Sequence, residues 1–246
     1  MMRWRRLATA ASLIALGLGL TGNRGPTTQV DLELVLAVDT SASVDSWEYR
    51  LQMEGLIRAF RDPVVVAAIR GTGPGGIAVT LVHWSSAHEQ RQIVPWMQIT
   101  DAASADRFAA AIAANRGRSF SDSTGIGEAI RYGERLIRRN RFEGRRKSID
   151  VSGDGSNNSG TPPLYVRELV VAEGVTINGL TILDQEPFLY DYYIRNVIGG
   201  AGAFVMTVES YHDIINGMRA KLLREISVSV AENEESETGA LVRAVR

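Results

Sequence analysis

Two rhythms of apolar and polar residues alternate along this chain. Short, largely apolar runs cover Leu32 to Val38, Ile77 to Trp84, Val175 to Leu183 and Ala203 to Thr207, and Ser148 to Ser152 reads as a further strand ending at Gly153-Asp154-Gly155. Such runs predict strands buried on both faces. Gln92 to Trp96 has Pro95 inside it, which predicts an edge strand. Between the runs, apolar residues return every three to four positions, the period of a helix packed on one side. Helices are predicted from Trp47 with Ser46 as cap, stopping before Pro63, and from Asp101 to Ala114. A third carries the stripe Ile126, Ile130, Gly133, Ile137 behind Ser123 as cap, and a fourth opens at Pro162 or Pro163 and runs to about Glu173. A short helical stretch covers Pro187 to Ile198, and the last helix covers His212 to Ile226. The alternation predicts an α/β fold: a doubly wound, mostly parallel, Rossmann-like sheet with one antiparallel edge strand and helices on both faces.

The ends read differently. Arg3, Arg5 and Arg6 precede an apolar run from Leu7 to Leu20, the pattern of a signal peptide or N-terminal anchor over residues 1–25. Export follows, to the periplasm or beyond the cell. Residues 228–246 carry Glu232, Glu234, Glu235 and Glu237 and predict a flexible acidic tail. The domain itself is expected over 30–227. The chain has 246 residues and no cysteine, which excludes disulfide scaffolds, zinc–cysteine sites and thiol nucleophiles. A net charge of -1 argues against a general nucleic-acid binder.

Polar chemistry gathers where predicted strands end. The first strand runs into Asp39-Thr40-Ser41-Ala42-Ser43, and a later one into Ser152-Gly153-Asp154-Gly155-Ser156-Asn157-Asn158. Ser121-Asp122-Ser123-Thr124 opens a helix between them. In open α/β sheets all three loops share the carboxyl edge, where ligands bind. Carboxylates and hydroxyls without histidine or cysteine suit hard cations such as Mg²⁺, Mn²⁺ or Ca²⁺. Taken singly, Ser41 and Ser43 are ordinary capping residues, Thr124 an ordinary first-turn residue and Asp154-Gly155 an ordinary turn. Asp45 and Asp122 are nearby acids that either ligate or cap.

Asp39-x-Ser41-x-Ser43, Thr124 in Thr-Gly-Ile-Gly-Glu-Ala-Ile, and Asp154 in Asp-Gly, in this order, resemble the metal-ion-dependent adhesion site of the von Willebrand factor A (VWA) family. The element order over about residues 30–226 is similar too, and the details look closest to a bacterial family of uncharacterised VWA-like exported proteins. The resemblance implies direct ligation of Mg²⁺ by Ser41, Ser43 and Thr124, with Asp39 and Asp154 acting largely through waters. It also implies a protein partner that offers an Asp or Glu carboxylate to the ion, and movement of the last helix when that partner engages.

Other signals carry less. Gly71 to Gly76 fits a glycine-rich nucleotide pattern but follows a helix and precedes a strand, so it predicts a turn. No Gly-x-Ser-x-Gly elbow or phosphate-binding loop is present, and no base or nucleophile accompanies the candidate site. Arg131 to Lys147 holds eight basic residues against two acids. It predicts a solvated helix face, or a patch for anionic partners or lipid head groups. Trp84, Trp96, Tyr190, Tyr192 and Tyr193 predict core or rim, with any exposed subset as contact residues. The resulting expectation is a cation-dependent protein-binding module with no catalytic role and no nucleic-acid partner. A metal-assisted hydrolase and an assembly subunit with a vestigial metal site are the alternatives.

Overall fold

A computed structural model describes residues 27–115, 117 and 122–227. The predicted signal segment, Ser121 and the predicted acidic tail lie outside them. Six strands form one sheet: β1 (Thr28–Asp39), β2 (Ile77–Trp84), β3 (Gln90–Ile99), β4 (Phe142–Gly153), β5 (Val175–Ile182) and β6 (Val205–Val208). Their order is β3-β2-β1-β4-β5-β6. All pairs are parallel except β2 with β3, which closes one edge antiparallel and contains Pro95. The expected architecture is therefore present.

The helices are α1 (Ser46–Arg61), α2 (Pro63–Gly71), α3 (Ala102–Ala114), α4 (Ile126–Arg139), α5 (Pro163–Ala172) and α6 (Leu189–Asn196). A last helix, α7, covers 214–227 after a single tight turn at Tyr211–Asp213. Alternate residues of β1 divide the core. Leu34, Leu36 and Val38 pack with Met53, Phe60, Phe108 and Met218 under α1, α3 and α7. Val35 and Ala37 pack with Trp84, Ile130, Ile149 and Tyr193 under α4 and α6. Every residue of β1 from Val30 to Asp39 is buried, which is why the strand is apolar from Leu34 to Val38.

Several local expectations need correction. Asp45, not Ser46, caps α1: its Oδ1 accepts from the Trp47 and Glu48 amides at 2.6 and 2.9 Å, and Glu48 returns a bond to the Asp45 amide at 2.5 Å. Asp45 is thus committed to capping. The chain does break at Asp62, but a second helix starts at once, with Pro63 in its first turn and Asp62 as its cap. Ser123 does not cap α4; Gly125 is the cap residue and makes no side-chain bond. A Cβ there would lie 2.8 Å from the Ser86 carbonyl carbon, so the close approach of that loop requires glycine. The turn expected at Thr72 to Gly76 is present, with positive φ at Gly73 and Gly76.

The basic stretch 131–147 is not one helix face. Its first part lies on α4, and Phe142 to Lys147 forms the lower half of β4, paired with Thr28 to Glu33 of β1. Its charges are largely answered locally. Arg131 pairs with Glu128, Arg138 with Glu134 and Glu173, Arg145 with Asp31, and Lys147 with Glu143. A buried ionic cluster ties α7 to the sheet. Lys221 Nζ lies 2.5 Å from Asp150 Oδ1 and 3.0 Å from Glu225 Oε1. Glu225 Oε2 accepts from Ser148 Oγ at 3.1 Å and Asn178 Nδ2 at 2.9 Å.

Candidate metal centre

The carboxyl end of β1 is pinned before the site begins. The Thr40 amide and hydroxyl both donate to the Trp84 carbonyl, at 2.9 and 3.1 Å. Asp39 then turns the chain by accepting the Ser41 amide on Oδ1 at 2.7 Å. That turn aims two hydroxyls along one line. Ser41 Oγ and Ser43 Oγ are 3.0 Å apart, and Ser43 Oγ donates to Asp154 Oδ1 at 2.8 Å. A serine hydroxyl has one proton. Since Ser43 gives its own to Asp154, the bond between the serines must be donated by Ser41.

Asp154 sits just past β4, and its second oxygen accepts from the Tyr211 hydroxyl at 3.1 Å. Thr124 is held by the loop that follows Asp154. Its amide donates to Asn158 Oδ1 at 2.8 Å, and its carbonyl accepts from the Asn158 and Ser159 amides at 2.9 and 3.2 Å. Its hydroxyl lies 3.8 Å from where a Cβ on Gly155 would project, with Glu186 Oε1 3.5 Å from the same point. Direct hydrogen bonds thus join Asp39, Ser41, Ser43 and Asp154. Thr124 stands beside Gly155, the residue after Asp154. Asp122 is exposed.

The electrostatics favour a cation. Asp39, Ser41 and Asp154 are at most 1% exposed, and Thr124 is 6% exposed. Burial pushes the Asp154 carboxyl up, and the like charge of Glu186 adds to this; hydrogen bonds from Ser43 and Tyr211 oppose it. Burial also raises Glu48, with Asp45, Asp154 and Asp184 acting in the same direction. The Tyr193 and Tyr211 hydroxyls are raised by burial and then by Asp39 and Asp154. No group of three or more His, Cys, Asp or Glu able to hold a metal occurs among the described residues. A cation here would rest on hydroxyl oxygens, and the donors that converge are the kind a hard cation takes.

Sequence reasoning missed three participants. Glu186 follows β5 at the same sheet edge, so the rule that located the other loops could have found it. Tyr193 and Tyr211 carried no such signal: Tyr193 reads as core, and Tyr211 reaches Asp154 across 57 residues. Among the weighed aromatics, Trp84 and Tyr193 are fully buried, whereas Tyr190 is exposed.

Comparison with known proteins gives the family. The family described as "Protein of unknown function (DUF1194)" matches residues 29–230. No curated protein matches the chain. Among solved structures, proximal thread matrix protein 1 from the mussel byssus is 18% identical with a TM-score of 0.57, covering 82% of this chain and 48% of that one. Another structure of that protein, 17% identical with TM-score 0.55 over 82% and 49% of the two chains, has a zinc-occupied MIDAS motif. A von Willebrand factor type A protein from Catenulispora acidiphila is 14% identical with TM-score 0.56, over 80% and 43%. The vWF domain of the pili tip protein Mfa5 from Porphyromonas gingivalis is 11% identical with TM-score 0.55, over 84% and 97%. Identities this low establish the fold alone, and the chain spans about half the length of the mussel protein. The chain belongs to the DUF1194 family, and its fold is that of a von Willebrand factor A domain.

Proposed function

We propose that the chain is an exported binding module that engages a protein partner through a divalent cation at the carboxyl edge of the sheet. Ser41, Ser43 and Thr124 would hold the ion, with Asp39 and Asp154 behind them. Mg²⁺ is the proposed ion, with Mn²⁺ and Ca²⁺ as alternatives. The observation that carries this reading is the hydroxyl chain from Ser41 through Ser43 to the buried Asp154. Burying carboxylates without counter-charge is costly, and a cation answers that cost. The zinc-occupied motif of the mussel protein supports a divalent ion on this fold.

The bound ion would supply an electron-poor centre for a partner's Asp or Glu. This chain's residues do the rest. Neutral hydroxyls at the front leave the ion's charge largely uncancelled, and the two aspartates hold it from behind. Trp47 and Phe188 are exposed on elements that flank this edge, 41% and 81%, and offer apolar contact beside a carboxylate. The role proposed is binding rather than catalysis. Residues 1–25 are proposed to direct export; among the described residues no helix is long and apolar enough to cross a membrane.

Thermal unfolding in EDTA, Mg²⁺, Mn²⁺ and Ca²⁺ tests the reading, beside Asp39→Ala. The expected result is a cation-dependent rise in the unfolding temperature that the variant loses. A rise that Asp39→Ala keeps in full would overturn the site.

A further inference from the structure

Two phenols lie against the two buried aspartates, and both come from helical elements late in the chain. Tyr211, in the tight turn ahead of α7, donates its hydroxyl to Asp154 Oδ2 at 3.1 Å. Tyr193, on α6, is fully buried, and its hydroxyl has no hydrogen-bond partner among the described residues. That hydroxyl lies 2.9 Å from where a Cβ on Gly153 would project. Asp39 Oδ2 lies 3.0 Å from the same point, and the Trp84 ring 3.4 Å. The missing side chain at Gly153 therefore leaves a space that the phenol of Tyr193 and the carboxylate of Asp39 both border.

The choice of donor matters. A buried carboxylate needs hydrogen bonds or a counter-charge. Lysine or arginine would supply both, and would cancel the negative charge that attracts a metal ion. A phenol supplies the hydrogen bond and leaves the charge in place. The same chain does use a lysine elsewhere: Lys221 answers Asp150 and Glu225 under α7. There one lysine serves two buried acids, whereas Asp154 is met by the hydroxyls of Ser43 and Tyr211.

We propose that Tyr193 and Tyr211 are positioning residues of the cation site: Tyr211 is a neutral donor to Asp154, and Tyr193 borders, with Asp39, the space left at Gly153, so that neither carboxylate is neutralised from behind and both keep their charge available to the ion. The proposal rests on the cation site described above. It assigns α6 and the lead-in to α7 a direct part in ion binding, although neither contributes a ligand.

The test uses the full chain with Tyr193→Phe, Tyr211→Phe and Asp154→Asn, alone and with Tyr211→Phe added to Asp154→Asn. Each is titrated with MgCl2 and MnCl2 and followed by tyrosine difference absorbance, and each is melted in EDTA. Loss of a partner behind a metal site commonly weakens metal binding about 10–100-fold. That weakening is expected in both phenylalanine variants, with their melting in EDTA changed by only about 2–4 °C. In the Asp154→Asn background, Tyr211→Phe should weaken binding no further. Full metal affinity in both phenylalanine variants, with only the melting point lowered, would make the tyrosines merely structural and overturn the proposal. Absence of any metal response in the parent chain would overturn the cation site itself, and the tyrosines' role with it.

Discussion

Ser43 occupies the middle of the hydroxyl chain, accepting from Ser41 and donating to Asp154. Ser43→Ala removes both bonds and leaves a buried carboxylate short of a donor. The expected cost without metal is about 1–3 kcal/mol, the range for an unsatisfied buried polar group, read by urea unfolding in EDTA. Any metal-dependent gain should fall as well, since a proposed ligand is lost with the bond. His83 makes a separate prediction. Burial pushes its imidazole down to about 4, with the positive charge of Arg91 acting in the same direction and the Gly117 backbone against it. Between that value and 6.5 the unfolded chain binds a proton that the folded chain refuses. Stability is therefore full above pH 6.5 and declines as pH falls toward 4, by up to about 3 kcal/mol. Urea unfolding across this range should show the slope in the parent and lose most of it in His83→Gln. An unchanged slope in the variant would assign the acid sensitivity to another group.

At the scale of elements, caps and buried charge set what each helix contributes. Asp45→Ala removes the side-chain half of the box that starts α1, while the amide of residue 45 can still donate to Glu48; it should cost about 1 kcal/mol, or about 2–4 °C in melting temperature. Lys221→Met should cost more, roughly 3–5 kcal/mol, because it strands Asp150 and Glu225 between α7 and the sheet. Chemical denaturation would rank the two; a milder effect for Lys221→Met would mean the acids find protons or other partners at little cost. The strands that could be read from sequence are those covered on both faces. β2 is the clearest, an apolar run with the same limits in the structure. The lower half of β4 was hidden because Glu143, Arg145 and Lys147 spend their charges on neighbouring side chains, a tertiary fact. α2 was hidden by Pro63, which reads as a stop and serves as a start. Asp39, Ser41 and Ser43 were legible because one loop carries them in five residues. Tyr193 and Tyr211 were not, because only the folded sheet brings them to that loop, whereas Glu186 lies past the end of β5, where the same rule reaches.

For the whole molecule, the proposed metal binding would be a stability term by mass action. An ion that binds only the folded chain at a hundredfold excess over its Kd adds about 2.7 kcal/mol. Raising Mg²⁺ tenfold beyond that point should add about 1.4 kcal/mol more, a concentration dependence that calorimetry can follow and that a nonspecific salt effect would not reproduce with NaCl. β1 gives the molecule its polarity. It enters the sheet at Thr28, where the Thr28 amide bonds the Arg141 carbonyl at 2.8 Å, and leaves it at Asp39. A strand of 12 residues at about 3.3 Å per residue separates those points by roughly 35–40 Å. Whatever is joined ahead of Thr28 thus grips the domain by its far end. A surface holding the chain there would find the cation edge turned outward, like the tip of a short mast, with a partner approaching from the open side.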